Sequence, residues 1–121
     1  METKNNAERD PEEVFEDHLK LANIGAFEED LARNYTEDIV LLTNYGDFHG
    51  HEGVREAAKL LQNQLPEGKY NYVLKRCHEN ICFLHWTGNS KKSFIEDGAD
   101  SFHVDNGKIK IQTIYYSVNV R

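Results

Sequence analysis

The sequence predicts an α+β fold in which a curved antiparallel sheet wraps around N-terminal helices, and three observations carry that expectation. Helical periodicity governs the chain up to Leu65, and alternation with period two takes over beyond Pro66-Glu67-Gly68. A complete helix-start signal stands at Asp10-Pro11-Glu12-Glu13, with an N-cap carboxylate, a proline at the first helical position and a glutamate at the third. Two turn signatures, His78-Glu79-Asn80 and Asp105-Asn106-Gly107, cut the second half into strands, the latter needing the positive φ that Asn and Gly tolerate.

The elements follow in order. Met1 to Arg9 carries no apolar side chain beyond Met1 and Ala7 and is expected to be a disordered leader, with residues 10–121 forming a single domain. A first helix runs to Ile24 on Val14, Phe15, Leu19 and Ala22, and Gly25 supplies a left-handed stop. A second covers Ala26 to Asn34 with Phe27 and Leu31 four apart; the chain then turns at Tyr35-Thr36-Glu37-Asp38. Ile39 to Thr43 is a β-branched and aliphatic strand, and Asn44 to Asp47 is a turn by composition. A third helix spans Glu52 to Leu65, with Val54, Ala57, Ala58, Leu61 and Leu65 on one stripe. Strands follow at Lys69 to Cys77, Ile81 to Thr87, Ser93 to Val104 and Lys108 to Val118. A meander this long must curl, and Gly88 and Gly98 are natural bend positions.

Composition excludes several functions. With 121 residues, 39% hydrophobic and 29% charged, the chain has the balance of one globular domain. A formal net charge of -7 repels phosphate backbones and anionic lipid, so neither nucleic acid nor membrane is an expected partner. No apolar run approaches the roughly 20 residues that span a bilayer, and the polar start lacks a signal-peptide core, so a cytoplasmic location is expected. Cys77 and Cys82 are too few for a disulfide scaffold; a short hairpin brings them near each other, and they are read as buried free thiols. Walker, G-x-S-x-G, G-x-G-x-x-G and paired C-x-x-C motifs are absent, so no cofactor and no metal are expected.

Three segments carry a family resemblance: Tyr35-Thr36-Glu37-Asp38-Ile39-Val40, Phe48-His49-Gly50-His51-Glu52-Gly53-Val54-Arg55, and Asp100-Ser101-Phe102-His103-Val104-Asp105-Asn106-Gly107-Lys108-Ile109. In order and spacing, Pro11 to about Val118 resembles the nuclear transport factor 2-like superfamily, in particular its SnoaL-like and ketosteroid-isomerase-like branch. The resemblance implies a cone-shaped sheet around a pocket. It places Asp100 where the isomerases carry an acid that donates a hydrogen bond to a substrate oxygen. Their base falls at Thr43 with Asn44, neither of which accepts a proton at neutral pH, and their oxyanion tyrosine falls near Leu19. The superfamily holds isomerases, cyclases, dehydratases and non-catalytic proteins, so the fold alone selects no reaction.

Strand parity sorts the candidate site residues. Asp100, Phe102 and Val104 alternate and should face the cone, where burial would raise the Asp100 pKa. On the neighbouring strand both faces are apolar, Ile81, Phe83 and His85 against Cys82, Leu84 and Trp86. Trp86 is therefore placed in the pocket and the opposite face against a partner, giving a homodimer through the sheet, an arrangement the resemblance also implies. His49 and His51 form an H-x-H pair that would need Glu52 or Asp47 as a third ligand to hold a metal, and His51 and Glu52 are read instead as capping and complementing the third helix; His49, near Tyr45 and Phe48 at a pocket rim, is a candidate proton carrier because an imidazole titrates near pH 6.5. His18 reaches the cavity, in place of Leu19, if the first helix is rotated slightly. Of Tyr115 and Tyr116 one points inward, and Tyr115 is assigned that place, while Tyr35 is expected to assist at the pocket.

Two functions follow. In one, the pocket takes a small apolar or amphipathic molecule and Asp100, with His49 or His18, performs isomerase, cyclase or dehydratase chemistry. In the other, it is a non-catalytic ligand-binding or dimerisation module.

Overall fold

The structure is a computed structural model that describes residues 8–121; the expected leader up to Ala7 lies outside the described residues. Helix α1 spans Pro11–Asn23 and opens on the expected capping box, with Asp10 and Glu13 each accepting from the other's backbone amide. Gly25, at φ 76°, closes it: the amides of Gly25 and Ala26 return to the carbonyls of Ala22 and Leu21, a Schellman stop. Helix α2 spans Phe27–Asn34 and pairs with α1 as a helical hairpin. Arg9 is no loose end, because its guanidinium donates to Asn34 Oδ1 at 2.8 Å and to the carbonyls of Arg33 and Gly107 at 2.9 and 2.7 Å. The ordered chain thus begins before Asp10, tied down by carbonyls at the end of α2 and in the last hairpin turn.

Strand β1 covers Tyr35–Thr43, which corrects the expected turn at Tyr35 to Asp38. Tyr35 pairs with Ile109 and Val40 with Ile111, so the polar residues between them are taken up as an irregularity within the strand. The turn expected over Asn44 to Asp47 shrinks to Asn44-Tyr45, because Gly46–His49 form strand β2 and pair back on β1. The amides of Tyr45 and Gly46 both donate to Thr43 Oγ1, a local bond that sets this tight reversal. Helix α3, Gly50–Gln64, packs on β1 and β2.

The remaining strands are β3 (Lys69–His78), β4 (Ile81–Asn89), β5 (Ser93–Asp105), β6 (Lys108–Tyr115) and β7 (Asn119–Val120). The expected last strand, run through Val118, is thus split, and β7 pairs with the start of β5. The sheet order is β2-β1-β6-β5-β4-β3, with β1 parallel to β6 and the other neighbours antiparallel. Its concave face holds α1, and the core joins Phe15 to Phe102 (ring centroids 5.3 Å apart) with Val14, Leu19, Leu31, Ile39 and Leu84 around them. Each such side chain, fully buried, contributes about 1.5–3 kcal/mol.

Three register shifts bend the antiparallel part. Val73 is extra between Tyr72↔Trp86 and Leu74↔His85. One residue of Glu96-Asp97 is extra between Trp86↔Gly98 and Gly88↔Ile95, and Lys110 is extra between His103↔Ile111 and Val104↔Ile109. Each inserts a local kink and added twist, so the sheet curves without closing. No helix among the described residues is long and apolar enough to cross a membrane.

Gly98 is the tightest point of the curl. The Trp86 indole lies flat over its backbone, and a Cβ added there would fall 2.2 Å from Trp86 Cε2. Gly98→Ala is expected to destabilise the protein by about 3 kcal/mol by forcing the indole out of its seat, measured by urea unfolding followed through Trp86 fluorescence; an unchanged midpoint would show that the ring is not held there.

Candidate functional site

Between α1, α2, α3 and the sheet lies a cavity with two lobes that share His18, Ala22, Phe27, Leu61, Asp100 and Ile114. The first lobe, about 200 Å³, extends under Leu41, Phe48, Val54 and Tyr116; the second, about 530 Å³, extends under Tyr70, Tyr72, Leu84 and Trp86. At the rim of the second, Arg55 of α3 reaches across to both carboxylate oxygens of Glu28 on α2, at 2.9 and 2.8 Å. The rings of Tyr70, Trp86, Tyr116 and Tyr45 follow one another at centroid spacings of 5.7, 5.6 and 4.9 Å, a continuous aromatic wall from one lobe to the other. The cavity is lined mostly by apolar atoms, the surroundings in which a few polar groups fix a ligand's orientation.

Asp100 is one of those groups. It is buried on β5 opposite Ile114, and both of its oxygens accept: Oδ1 from the Trp86 indole N–H at 2.8 Å, Oδ2 from Gln112 Nε2 at 3.2 Å. Gln112 in turn accepts from the Tyr35 hydroxyl at 2.8 Å. Burial pushes the carboxyl pKa up to about 6, against the opposing pull of the Trp86 bond, His18 and the Gln112 bond. At pH 7 the group is about ten to one ionised, and its two donors are those an anion needs. The resemblance implies an acid donating to substrate; in the structure both Asp100 oxygens accept hydrogen bonds, from Trp86 and Gln112. The amide of Gln112 gives the chain a second self-consistent sense, since a flipped Gln112 accepts from a protonated Asp100 and donates to Tyr35.

His18 supplies the second group. Nδ1 lies 2.7 Å from Asp30 Oδ2, and Asn34 Nδ2 donates to the other Asp30 oxygen at 2.9 Å. A carboxylate at Nδ1 selects the tautomer protonated there and leaves the Nε2 lone pair available. Nε2 makes no hydrogen bond among the described residues, and the ring lines both lobes together with Asp100. The ring is wedged between Phe102, 5.1 Å away, and the edge of Tyr35, 5.7 Å away. The choice between His18 and Leu19 dissolves, because both are buried and both line the cavity.

The other expected residues fall as follows. Tyr35, Tyr45 and Phe48 line the first lobe and Trp86 the second. His49 does not: it is exposed at the start of α3, because Phe48 takes the inward position on β2 and alternation turns its neighbour out. The adjacent His51 bonds to the Tyr35 carbonyl at 3.2 Å. Phe102 is buried behind the cavity, where it backs the His18 ring and does not line the site. Tyr115 is outward and 56% exposed while Tyr116 is inward at 4%. The extra residue Lys110 causes this, since it shifts the inward set on β6 from Ile109 to Gln112, Ile114 and Tyr116. Strict alternation from Ile109 would have brought Tyr115 inward. Gln112, Asp30 and Asn34 were missed; Asp30 was visible only as one of several acids in the first turn of α2.

Asp100 has a thermodynamic signature. Its folded pKa lies above the ordinary carboxyl value, so between pH 4 and 6 the folded state holds a proton that the unfolded state releases, and stability falls as pH rises through that window. A shift of this size is worth roughly 3 kcal/mol. Asp100→Asn is expected to remove this slope, so that the unfolding free energies of variant and wild type diverge from pH 4 to pH 6 and run parallel above it; parallel curves throughout would show that the carboxyl is not desolvated.

No family model and no curated protein matches the sequence. Solved structures do match. An NTF2-like protein of unknown function from Cytophaga hutchinsonii superposes with TM-score 0.69 at 16% identity, over 97% of this chain and 95% of that one. A protein from Mesorhizobium loti proposed to be a SnoaL-like polyketide cyclase gives 0.65 at 18% identity, over 86% and 97%. A protein from Kribbella flavida proposed to be a ketosteroid isomerase gives 0.71 at 12%, over 86% and 75%. Three helices on a curved, unclosed sheet, matched over most of both chains by such structures, give this protein the NTF2-like α+β fold.

Proposed function

We propose that the two-lobed cavity binds a compact apolar or amphipathic molecule and that Asp100 and His18 move a proton on it, the chemistry of isomerases, cyclases and dehydratases. One observation carries the reading: a carboxylate with its pKa raised towards neutrality and an imidazole with Nδ1 anchored and Nε2 unbonded among the described residues share one apolar cavity. A base acts best when its pKa lies near the working pH. Either base, the Asp100 carboxylate or the His18 Nε2 lone pair, takes a proton from the bound molecule, and the acid so formed returns it at a second atom. Two of the solved structures with this fold are themselves proposed to be a cyclase and an isomerase.

A second reading rests on a specific observation. Both Asp100 oxygens already have donors, which suits a carboxylate that only ties β4 and β6 to β5. The chain would then be a non-catalytic binding module. Deuterium uptake from D₂O into a panel of cyclic β,γ-unsaturated ketones and 1,3-diketones, followed by proton NMR, separates the two. The proton-transfer reading expects uptake that rises with pH to a plateau above about pH 6 and falls about 100-fold or more in Asp100→Asn and in His18→Gln. Uptake indifferent to both substitutions, or binding without uptake, favours the module.

The proposal extends to a partner. The convex face of the sheet exposes Val73, Ile81, Phe83, Ile111 and Tyr115, and a second copy of the chain is the partner we propose for it, with the cavities facing away from the contact. The proposal places the protein in the cytoplasm, where Cys77 and Cys82, opposite each other in register, would be kept as thiols. Sedimentation should give a dimer for the wild type and a folded monomer for Phe83→Asp; a monomeric wild type would sink the sheet-mediated dimer.

A further inference from the structure

The His18 imidazole is connected to the surface by an unbroken polar chain. Asp30 Oδ2 holds Nδ1 at 2.7 Å; Asn34 Nδ2 donates to Asp30 Oδ1 at 2.9 Å and to Asp17 Oδ2 at 2.9 Å; and Arg9 Nη1 donates to Asn34 Oδ1 at 2.8 Å. Asn34 is fully buried and Asp30 nearly so, so the chain lies inside the protein except at its Arg9 and Asp17 ends. The amide of Asn34 is thereby fixed at both ends, its nitrogen between two carboxylates and its oxygen on the guanidinium. A flip would set Oδ1 against two anions and Nδ2 against a cation, so Arg9 and the two carboxylates together lock the sense of the chain. The other Arg9 nitrogen, Nη2, holds the carbonyls of Arg33 and Gly107, which anchors the fork to α2 and to the β5–β6 turn.

We infer that Arg9 is a positioning residue for the cavity imidazole, acting through Asn34 and Asp30 to align Nδ1 and so aim Nε2 at the bound molecule. The inference rests on the proton-transfer reading only for its purpose; the alignment itself is a property of the free protein. It also assigns a role to a residue that composition alone places in the leader. Arg33 provides the internal contrast. It binds Asp17 at 2.9 Å through Nε and pairs with Glu29, bringing a second positive charge to the same carboxylate without touching the Asn34 oxygen.

Sign separates alignment from charge. The titratable groups facing the ring are Asp30 on α2, Asp100 on β5 and Tyr35 on β1, with Asp17, Arg9 and Arg33 farther along the polar chain. Removing a cation raises a neighbouring imidazole's pKa through space, whereas loosening its carboxylate partner lowers it. The experiment is an NMR titration of His18 in Arg9→Met, Arg9→Lys and Arg33→Gln. Arg9→Lys keeps the charge and loses the planar fork, and it keeps the test readable where Arg9→Met fails to fold. The expected result is a fall of about half a unit or more in both Arg9 variants, with no fall in Arg33→Gln. A rise or no change in Arg9→Lys, or the same fall in Arg33→Gln, would overturn the inference. The titration needs no substrate, so its failure counts against the relay alone, while absence of deuterium uptake with the relay intact counts against the proton-transfer reading alone.

Discussion

A sheet that must cup a helix cannot stay flat, and here the bend is taken at single extra residues. Val73, the Glu96-Asp97 pair and Lys110 each put two residues of one strand against one of the next. A bulge does more than kink. Because side chains alternate with period two, one extra residue transfers every later side chain on that strand to the other face. The positions of Asp100, Gln112 and Tyr116 on the concave side all lie downstream of such a transfer, so the composition of the cavity wall depends on where the sheet bends. Gly98, directly opposite Trp86, is the bare backbone that lets the indole lie against the curve and present its N–H to Asp100.

The same curvature creates the electrostatic character of the site. Asp100 sits where solvent is excluded, which favours its neutral form, yet Trp86 and Gln112 supply two donors, which favour its anion. The two effects oppose each other and leave the group near the middle of the titratable range, the condition for a proton to be both accepted and returned at modest cost. Burial also pushes the Tyr35 hydroxyl well above its ordinary value, with the carboxylates of Asp30 and Asp100 adding to the effect. That phenol therefore acts as a hydrogen-bonding group and not as an anion. Gln112, between Tyr35 and Asp100, accommodates either protonation state by reversing its amide.

The helices contribute the opposite wall. On α1, Val14, Phe15, His18 and Leu19 share a face, so the periodicity that buries the core also delivers an imidazole to the cavity. On α2, Asp30 and Asn34 are one turn apart and meet it from the side. A buried carboxylate is costly unless fully bonded, and Asp30 has both oxygens occupied. The polar chain through Asn34 to Arg9 is the means by which it is satisfied, and it fixes α1 to α2 at the same time.

The local grammar of the chain was legible in the sequence. The Asp10 to Glu13 capping box, the Gly25 stop, a third helix beginning near Glu52 and the two hairpin turns are set by interactions within a few residues, and those interactions are written in residue type and spacing. Strand β2 and the Tyr35 end of β1 were hidden because their pairing partners, β1 and the distant β6, supply hydrogen bonds that no local signal records. Tyr116 in place of Tyr115, and the choice of Gln112, were decided by the bulge at Lys110, which follows from the demand for curvature and leaves no mark on composition. Asp30 and Asn34 read as ordinary polar residues on a helix until the helical hairpin places them against His18. The sequence by itself determined the elements and which faces they bury; only the tertiary structure decided which polar groups share the cavity, because that depends on registers and crossings set by contacts far apart in the chain.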